Sequence, residues 1–199
     1  MERKDIDKRL KWDTTSIYEK DEDFYEDIES IKSLAKELKN FEGKITKDLD
    51  TFKSFLKLDE KFSRKMEKAY VFSSLKSDED TRVTKYQEMK QIATNAYVST
   101  SESLSFIRPE LLATDYELIK EYLKDPEIKN LDHYFEDIYR YKDHTLDPKS
   151  EQIIASFGKT AQNPSSTYMI FENADLSFPS VNKDGEEIQI TGANFVNLQ

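Results

Sequence analysis

The stretch 21–43, DEDFYEDIESIKSLAKELKNFEG, decides the fold class. Its apolar side chains recur every three or four residues and so share one face of a helix; they are Phe24, Ile28, Ile31, Leu34, Leu38 and Phe41. The acidic run 21–23 favours the positive end of the helix dipole. Gly43 offers the left-handed conformation that often ends a helix. The stretch predicts an amphipathic helix that packs through a narrow seam against another helix.

A second apolar pattern predicts a long helix that begins near Asp48. The positions that carry it are Leu49, Phe52, Phe55, Leu56, Phe62, Met66, Ala69, Tyr70 and Leu75. We expect this helix to be broken or bent near Leu58 and Asp59. Its length and apolar content make it the natural packing partner of the first helix.

A third pattern predicts a helix with Asp78 or Asp80 as its cap. Its apolar positions are Val83, Tyr86, Met89, Ile92, Ala96 and Val98. We expect the segment 99–105, rich in serine and threonine, to remain helical, because these hydroxyls can bond back to the preceding turn.

Shorter helices follow, each with its own start signal. We expect them to begin at Asp115, at Leu131 or Asp132, at Pro148 and at Pro164. Proline suits the first helical turn because the N–H that it lacks would have no partner there. The pattern as a whole predicts an array of long and short antiparallel helices.

The period changes after Asn173. Apolar residues then alternate with polar ones at Leu176, Phe178, Ile188 and Ile190, on either side of the turn 182–185. This is typical of a β-hairpin. The predicted fold is therefore mainly all-α with one C-terminal hairpin, and a lone hairpin should pack on other structure because it is marginally stable in water.

Composition excludes several classes of function. Thirty basic and 40 acidic side chains give a net charge of −10, which argues against nucleic-acid binding. No apolar run is long enough to span a membrane or to serve as a signal peptide, so we expect a cytoplasmic protein without membrane contact. The chain has no cysteine and only two histidines, His133 and His144. We assign no catalytic, cofactor-binding or metal-binding residue, and we interpret carboxylate pairs as caps or solvated faces.

Three local strings resemble the oligoendopeptidase F family of zinc metallopeptidases. The first is the opening string 12–18, WDTTSIY, with Thr14 where the family has Leu. The second, 139–146, is YRYKDHTL, and the third, 173–179, is NADLSFP, followed by 184–188, DGEEI. Residues 106–112, which end in PELL, are also similar to the family. The strings follow the family's order and span nearly the whole chain.

The resemblance implies the N-terminal part of a peptidase that cleaves short oligopeptides and whose zinc site lies elsewhere. In the family a His-Glu-x-x-His helix and a distant Glu bind zinc, and this chain has no counterpart of either. Residues 1–174 would form a helical domain in the channel wall, while 175–199 would form the hairpin and the start of a missing catalytic domain. The partners implied are the rest of the peptidase chain and oligopeptide substrates. The alternative is a free-standing helical adaptor that binds a protein partner.

Overall fold

Most of the chain is helical in the computed structural model, which describes residues 6–172, 176–192 and 194–198. The α-helices are α1 (Asp21–Lys39), α2 (Leu49–Glu79), α3 (Thr84–Ser103), α4 (Ile107–Ala113), α5 (Tyr116–Tyr122), α6 (Asp132–Arg140), α7 (Pro148–Ser156), α8 (Gly158–Ile170) and α9 (Phe195–Leu198). Short 3-10 helices are η1 (Lys8–Leu10), η2 (Thr14–Ser16), η3 (Lys129–Leu131) and η4 (Lys142–His144). The strands are β1 (Ser180–Lys183) and β2 (Glu186–Gln189). The predicted mainly-α fold with a C-terminal hairpin is confirmed.

The chain divides into two compact units, Met1–Ala161 and Gln162–Gln199. The first unit contains α1 to α7, and the second contains the hairpin. The sequence predicts a domain boundary between residues 174 and 175. That position lies outside the described residues, as do the first three residues of the string 173–179, so the boundary stays a prediction.

Helix α1 begins where its acidic run predicts. The backbone N–H of Lys20 donates to the carboxylate of Asp23 at 3.2 Å, which satisfies one of the free donors at the helix start. The predicted apolar face is buried from Phe24 to Leu38. The α-helix ends at Lys39, and Gly43, with a φ of +76°, lies in the turns that follow it. The left-handed glycine therefore does not end the helix itself. It lies about one turn after the helix end, where the chain turns toward α2.

Helix α2 is continuous over 31 residues, so the break predicted near Leu58 and Asp59 is wrong, while the alternative of a bend stays a prediction. Neither glycine nor proline occurs within the helix, and nothing interrupts its hydrogen bonding. The apolar pattern changes because the helix passes from one hydrophobic cluster to another. Phe62 contacts both clusters and marks the crossing point.

The two clusters hold the first unit together. The first cluster joins α1, α2 and the short helices, and its buried members are Ala35, Leu38, Ile45, Phe52, Phe55, Leu104, Phe106, Leu111, Ile119, Leu123, Ile128 and Phe135. The second joins α1, α2 and α3 through Tyr18, Phe24, Ile28, Ile31, Met66, Ala69, Phe72, Met89, Ala93 and Ala96. Each fully buried Phe or Leu side chain contributes about 1.5–3 kcal/mol. The phenylalanines Phe24, Phe52, Phe55 and Phe72 of the two long helices are thus core residues.

Helix α3 does not use the predicted acidic cap. Asp78 lies inside α2 and Asp80 is the residue that ends it, whereas α3 is preceded by Val83, which makes no side-chain cap. Asp80 instead accepts from the backbone N–H of Arg82 at 3.0 Å, because the short connection needs an acceptor at its turn. The helix extends to Ser103, so the segment 99–105 is helical except for its last two residues, and the hydroxyl of Thr100 donates back to the Ala96 carbonyl at 2.8 Å.

The start signals of α5, α6 and α7 are confirmed. Asp115 and Asp147 cap α5 and α7, Leu131 precedes α6, and Pro148 occupies the first turn of α7. The predicted start at Pro164 is wrong, because α8 begins at Gly158 and contains Pro164 in its interior. The N–H of Ala161 donates to the Phe157 carbonyl at 2.9 Å, so helical hydrogen bonding is established before the proline is reached.

The hairpin has the predicted turn. Asp184 and Gly185 have φ values of 55° and 87°, which is the left-handed pair that a two-residue hairpin turn requires. Val181 faces Ile188 directly across the strands, and both are half-buried. The N–H of Ile190 donates to the Pro179 carbonyl at 3.0 Å and extends the pairing beyond β2.

Candidate functional site

The two histidines are not brought together as a metal site. His133 is exposed on α6, with its ring nitrogens 3.7 Å from Glu136 and 3.6 Å from Asp137. His144 lies at the end of η4 and is also exposed. Across the described ranges, no three His, Cys, Asp or Glu side chains lie close enough to bind one metal ion. Neither does any helix in these ranges have the length and apolar character to cross a membrane.

The opening string 12–18 has a structural role. Asp13 caps η2 by accepting from the N–H of Thr15 at 3.1 Å. The hydroxyl of Tyr18 donates to Asp27 at 2.8 Å, and the same carboxylate pairs with Lys65 of α2. The pKa of the Tyr18 phenol is raised mainly by burial and, to a smaller extent, by this hydrogen bond. The string thereby fastens the start of the chain to α1 and α2.

The string 139–146 links α6 to α7. The hydroxyl of Tyr139 lies 2.7 Å from the Leu111 carbonyl, which also accepts from the N–H of Thr114, and 3.0 Å from the Thr114 carbonyl. Its ring stacks on Tyr116 with centroids 4.3 Å apart. Burial of this phenol raises the pKa of Tyr139 to about 12. The segment then enters α7, where the N–H of Leu146 donates to Glu151 at 2.9 Å.

Residues 106–112 contain a clamp that the sequence analysis did not find. The carboxylate of Glu110 accepts from the backbone N–H of Gly43 at 2.7 Å and from that of Ile45 at 2.8 Å. The two donors lie in the connection between α1 and α2. Glu110 therefore fixes that connection against α4.

A groove of about 300 Å³ lies between α4 and α6 and was also missed. Its lining residues are Ile107, Arg108, Leu111, Tyr134, Asp137, Ile138 and Tyr141. The guanidinium of Arg108 lies over the ring of Tyr141, 5.2 Å from its centroid. The two half-exposed tyrosines and the arginine beside apolar residues are the features that could have indicated a binding groove. Sequence spacing does not show that α4 and α6 are neighbours.

Helix α7 presents an unusual apolar surface to solvent. Ile153, Ile154 and Phe157 are 52%, 57% and 62% exposed, and Leu146 before the helix is equally open. We call these four side chains the α7 face. The helix itself packs against α3, and Gly158 allows close approach to Val98, whose methyl would lie 3.4 Å from an added Cβ.

The second unit also has exposed apolar side chains. Four consecutive residues at the end of α8, Tyr168 to Phe171, are all exposed, and so are Leu176, Phe178, Phe195 and Val196. Four successive positions cover the full circumference of a helix, and a helix that is apolar all round is normally buried. Large exposed apolar patches are typical of interaction surfaces in soluble proteins.

Comparison with known proteins finds relatives that match nearly the whole chain. A family model described as Oligopeptidase F matches residues 110–178. The chain is 37% identical to an oligoendopeptidase F of Lactococcus lactis subsp. cremoris over 202 residues, which cover 98% of this chain and 33% of the relative. This chain corresponds to the N-terminal region of oligoendopeptidase F. The resemblance predicted from the three strings is confirmed.

Further oligoendopeptidase F relatives show the same coverage. A group B oligopeptidase of Streptococcus agalactiae is 35% identical over 98% of this chain and 33% of its own length. The crystal structure of oligoendopeptidase F from Enterococcus faecium superposes with a TM-score of 0.82 at 27% identity, covering 90% of this chain and 36% of that one. The chain thus spans about a third of the length of the curated relatives that it matches.

The segment matched by the Oligopeptidase F family model includes several of the features described above. It contains Glu110, the string 139–146, all of α7 and all of α8. It also contains the α7 face. Several of the exposed apolar side chains of the described residues therefore lie in the matched segment.

Proposed function

We propose that this chain forms the helical, non-catalytic N-terminal part of a zinc metalloendopeptidase that hydrolyses peptide bonds in short oligopeptides. The observation that carries the proposal is the match of 98% of the chain to one third of a protein named oligoendopeptidase F. In this arrangement the helices contribute part of the wall of the substrate channel. We expect the whole enzyme to act in the cytoplasm.

The described side chains do not fit a zinc site. His133 and His144 lie on different elements, and no third ligand accompanies either of them within the described part of the chain. We therefore place the zinc ligands and the catalytic residues in the part of the relatives that this chain does not span. That this chain binds no zinc by itself remains a prediction.

The exposed apolar surfaces support a role as one part of a larger fold. The α7 face, and separately the end of α8, would be covered by the rest of the peptidase chain, which is the partner that we propose. We also propose that residues 1–174 act as the helical domain and 175–199 as the start of the catalytic domain. The apolar burial so gained would be worth about 25 cal/mol for each Å² covered.

The proposal is tested by mixing this chain with the remaining two thirds of the Lactococcus lactis relative. We expect a one-to-one complex in size-exclusion chromatography with light scattering, and no cleavage of an internally quenched oligopeptide by this chain alone, with or without added zinc. Absence of a complex, together with tight one-to-one binding of an unrelated protein, would favour the free-standing adaptor. Cleavage by the isolated chain would overturn the proposal.

A further inference from the structure

The groove between α4 and α6 combines an apolar floor, aromatic sides and a cation at its edge. Its floor is apolar, through Ile107, Leu111 and Ile138, and its sides carry the half-exposed rings of Tyr134 and Tyr141. Arg108 is exposed at its edge. A volume of about 300 Å³ is at the small end of the range for ligand sites, which suits one terminal residue of a chain rather than a large cofactor.

The side chain of Arg108 is held against an aromatic ring, and no described carboxylate neutralises its charge. Its guanidinium lies 5.2 Å from the centroid of the Tyr141 ring. Within the part of the chain that the structure describes, no carboxylate pairs with it. An arginine held by its flat face against an aromatic ring keeps its edge N–H groups free, and these match the two oxygens of a carboxylate.

The acidic side chain that lines the groove has other partners. Asp137 pairs with Arg140 at 3.1 Å and lies 3.6 Å from the ring of His133. Burial, and to a smaller extent the charge of Asp59, raises the pKa of Tyr134, whereas the charge of Arg108 lowers it. The one cation at the groove without a carboxylate partner in the described ranges is Arg108.

We propose that this groove binds the C-terminal residue of an oligopeptide, with the carboxylate on Arg108 and an apolar side chain between Tyr134 and Tyr141. The ligand class rests on the function proposed above. The site itself rests on the geometry of α4 and α6. Charge complementarity favours a free carboxylate, and the aromatic walls favour an apolar or aromatic final residue.

The test compares two N-acetylated tripeptides, Ala-Ala-Phe with a free C-terminus and the same peptide as its C-terminal amide. Each is titrated into the 15N-labelled 199-residue chain and followed by amide chemical shifts. We expect the free acid to perturb amides in 107–111 and 134–141, and the amide to bind at least tenfold more weakly. Equal affinity for both peptides, or perturbations confined to other regions, would overturn the site.

Two variants separate recognition from folding. Arg108→Gln should weaken binding of the free acid at least tenfold and leave the remaining spectrum unchanged, and Arg108→Lys should restore part of the affinity. Arg64→Gln is the matched control, because this exposed arginine of α2 pairs with Glu60 at 2.9 Å and is not among the groove residues. If Arg108→Gln binds as tightly as Arg64→Gln, the site is disproved. No cleavage is measured, so the result is independent of whether the parent enzyme is a peptidase.

Discussion

The carboxylate of Glu110 accepts a hydrogen bond from the backbone N–H of Gly43 at 2.7 Å, across 67 positions of sequence. A second hydrogen bond, from the N–H of Ile45 at 2.8 Å, uses the other oxygen of the same carboxylate. One half-buried side chain thus satisfies two backbone donors in the connection from α1 to α2. That connection sets the direction in which α2 leaves α1 and so the packing of both hydrophobic clusters.

Replacing Glu110 should therefore destabilise the fold. In Glu110→Gln one side-chain oxygen is lost as an acceptor, and the amide N–H₂ group then faces a backbone N–H. We expect the free energy of unfolding to fall by about 1–3 kcal/mol in urea titrations followed by circular dichroism. Glu117→Gln is the control, since Glu117 is exposed and pairs only with Lys120, and it should change stability by less than about 0.5 kcal/mol. Equal effects of the two substitutions would contradict the clamp.

The chain should lose stability at alkaline pH through its buried tyrosines. Burial raises the pKa of Tyr139 to about 12 and raises that of Tyr18 further. A phenol whose pKa is higher in the folded state than in the unfolded state favours folding fully below about pH 10, the ordinary value. That contribution is lost as the pH rises toward the folded-state pKa.

Tyr139→Phe isolates this effect. The variant should be less stable at pH 8 by about 1 kcal/mol, because the hydrogen bond to the end of α4 is lost. Its stability should then decline less steeply than that of the parent between pH 10 and pH 12. Urea titrations at several pH values, with Tyr97→Phe as an exposed control, measure both quantities. Parallel pH profiles for Tyr139→Phe and the parent would show that this phenol does not control the decline.

The exposed side chains of the α7 face should contribute little to the free energy of unfolding of this chain. Ile154→Lys and Phe157→Lys should each change the free energy of unfolding by less than about 0.5 kcal/mol, because both side chains are more than half exposed. Both should reduce binding of the apolar dye ANS. Phe135→Ala is the contrasting variant, because Phe135 is completely buried in the first cluster, and it should cost about 3–5 kcal/mol. Unfolding of either lysine variant would show that the face belongs to the core.

The hairpin should exchange its amide hydrogens faster than α1. Only one pair of apolar side chains, Val181 and Ile188, faces across the described strands, and neither is fully buried. Isolated hairpins are marginal in water, whereas α1 buries an apolar face along most of its length. Hydrogen exchange read by mass spectrometry on a dilute monomer compares peptides from 180–189 and 24–38. Equal protection of the two would contradict a dependence of the hairpin on further chain.

Local sequence signals predicted the elements well where the cause was local. The helix starts at Asp115 and Pro148 and the turn at Gly185 each depend on residues within a few positions, and each is found where the sequence predicts it. The break near Asp59 was wrong because periodicity reports only that the buried face changes. Whether the helix breaks or moves from one cluster to another depends on its neighbours.

The candidate sites could not be predicted in this way. The acceptor role of Glu110 depends on donors 65 and 67 positions away. The groove depends on contact between α4 and α6, which also places the guanidinium of Arg108 over the ring of Tyr141, 33 positions further along the chain. The helix start predicted at Pro164 is wrong for a related reason. A proline begins a helix only if helical hydrogen bonding has not already begun in the residues before it.

A chimaeric enzyme provides the most direct test of the central claim. This chain would replace the matching third of the Lactococcus lactis relative, and hydrolysis of an internally quenched oligopeptide would be measured beside the same relative with that third deleted. The account predicts that the chimaera cleaves the peptide, that a zinc chelator stops the cleavage, and that the deleted form is inactive. A folded, monomeric chimaera that cleaves no oligopeptide would contradict it.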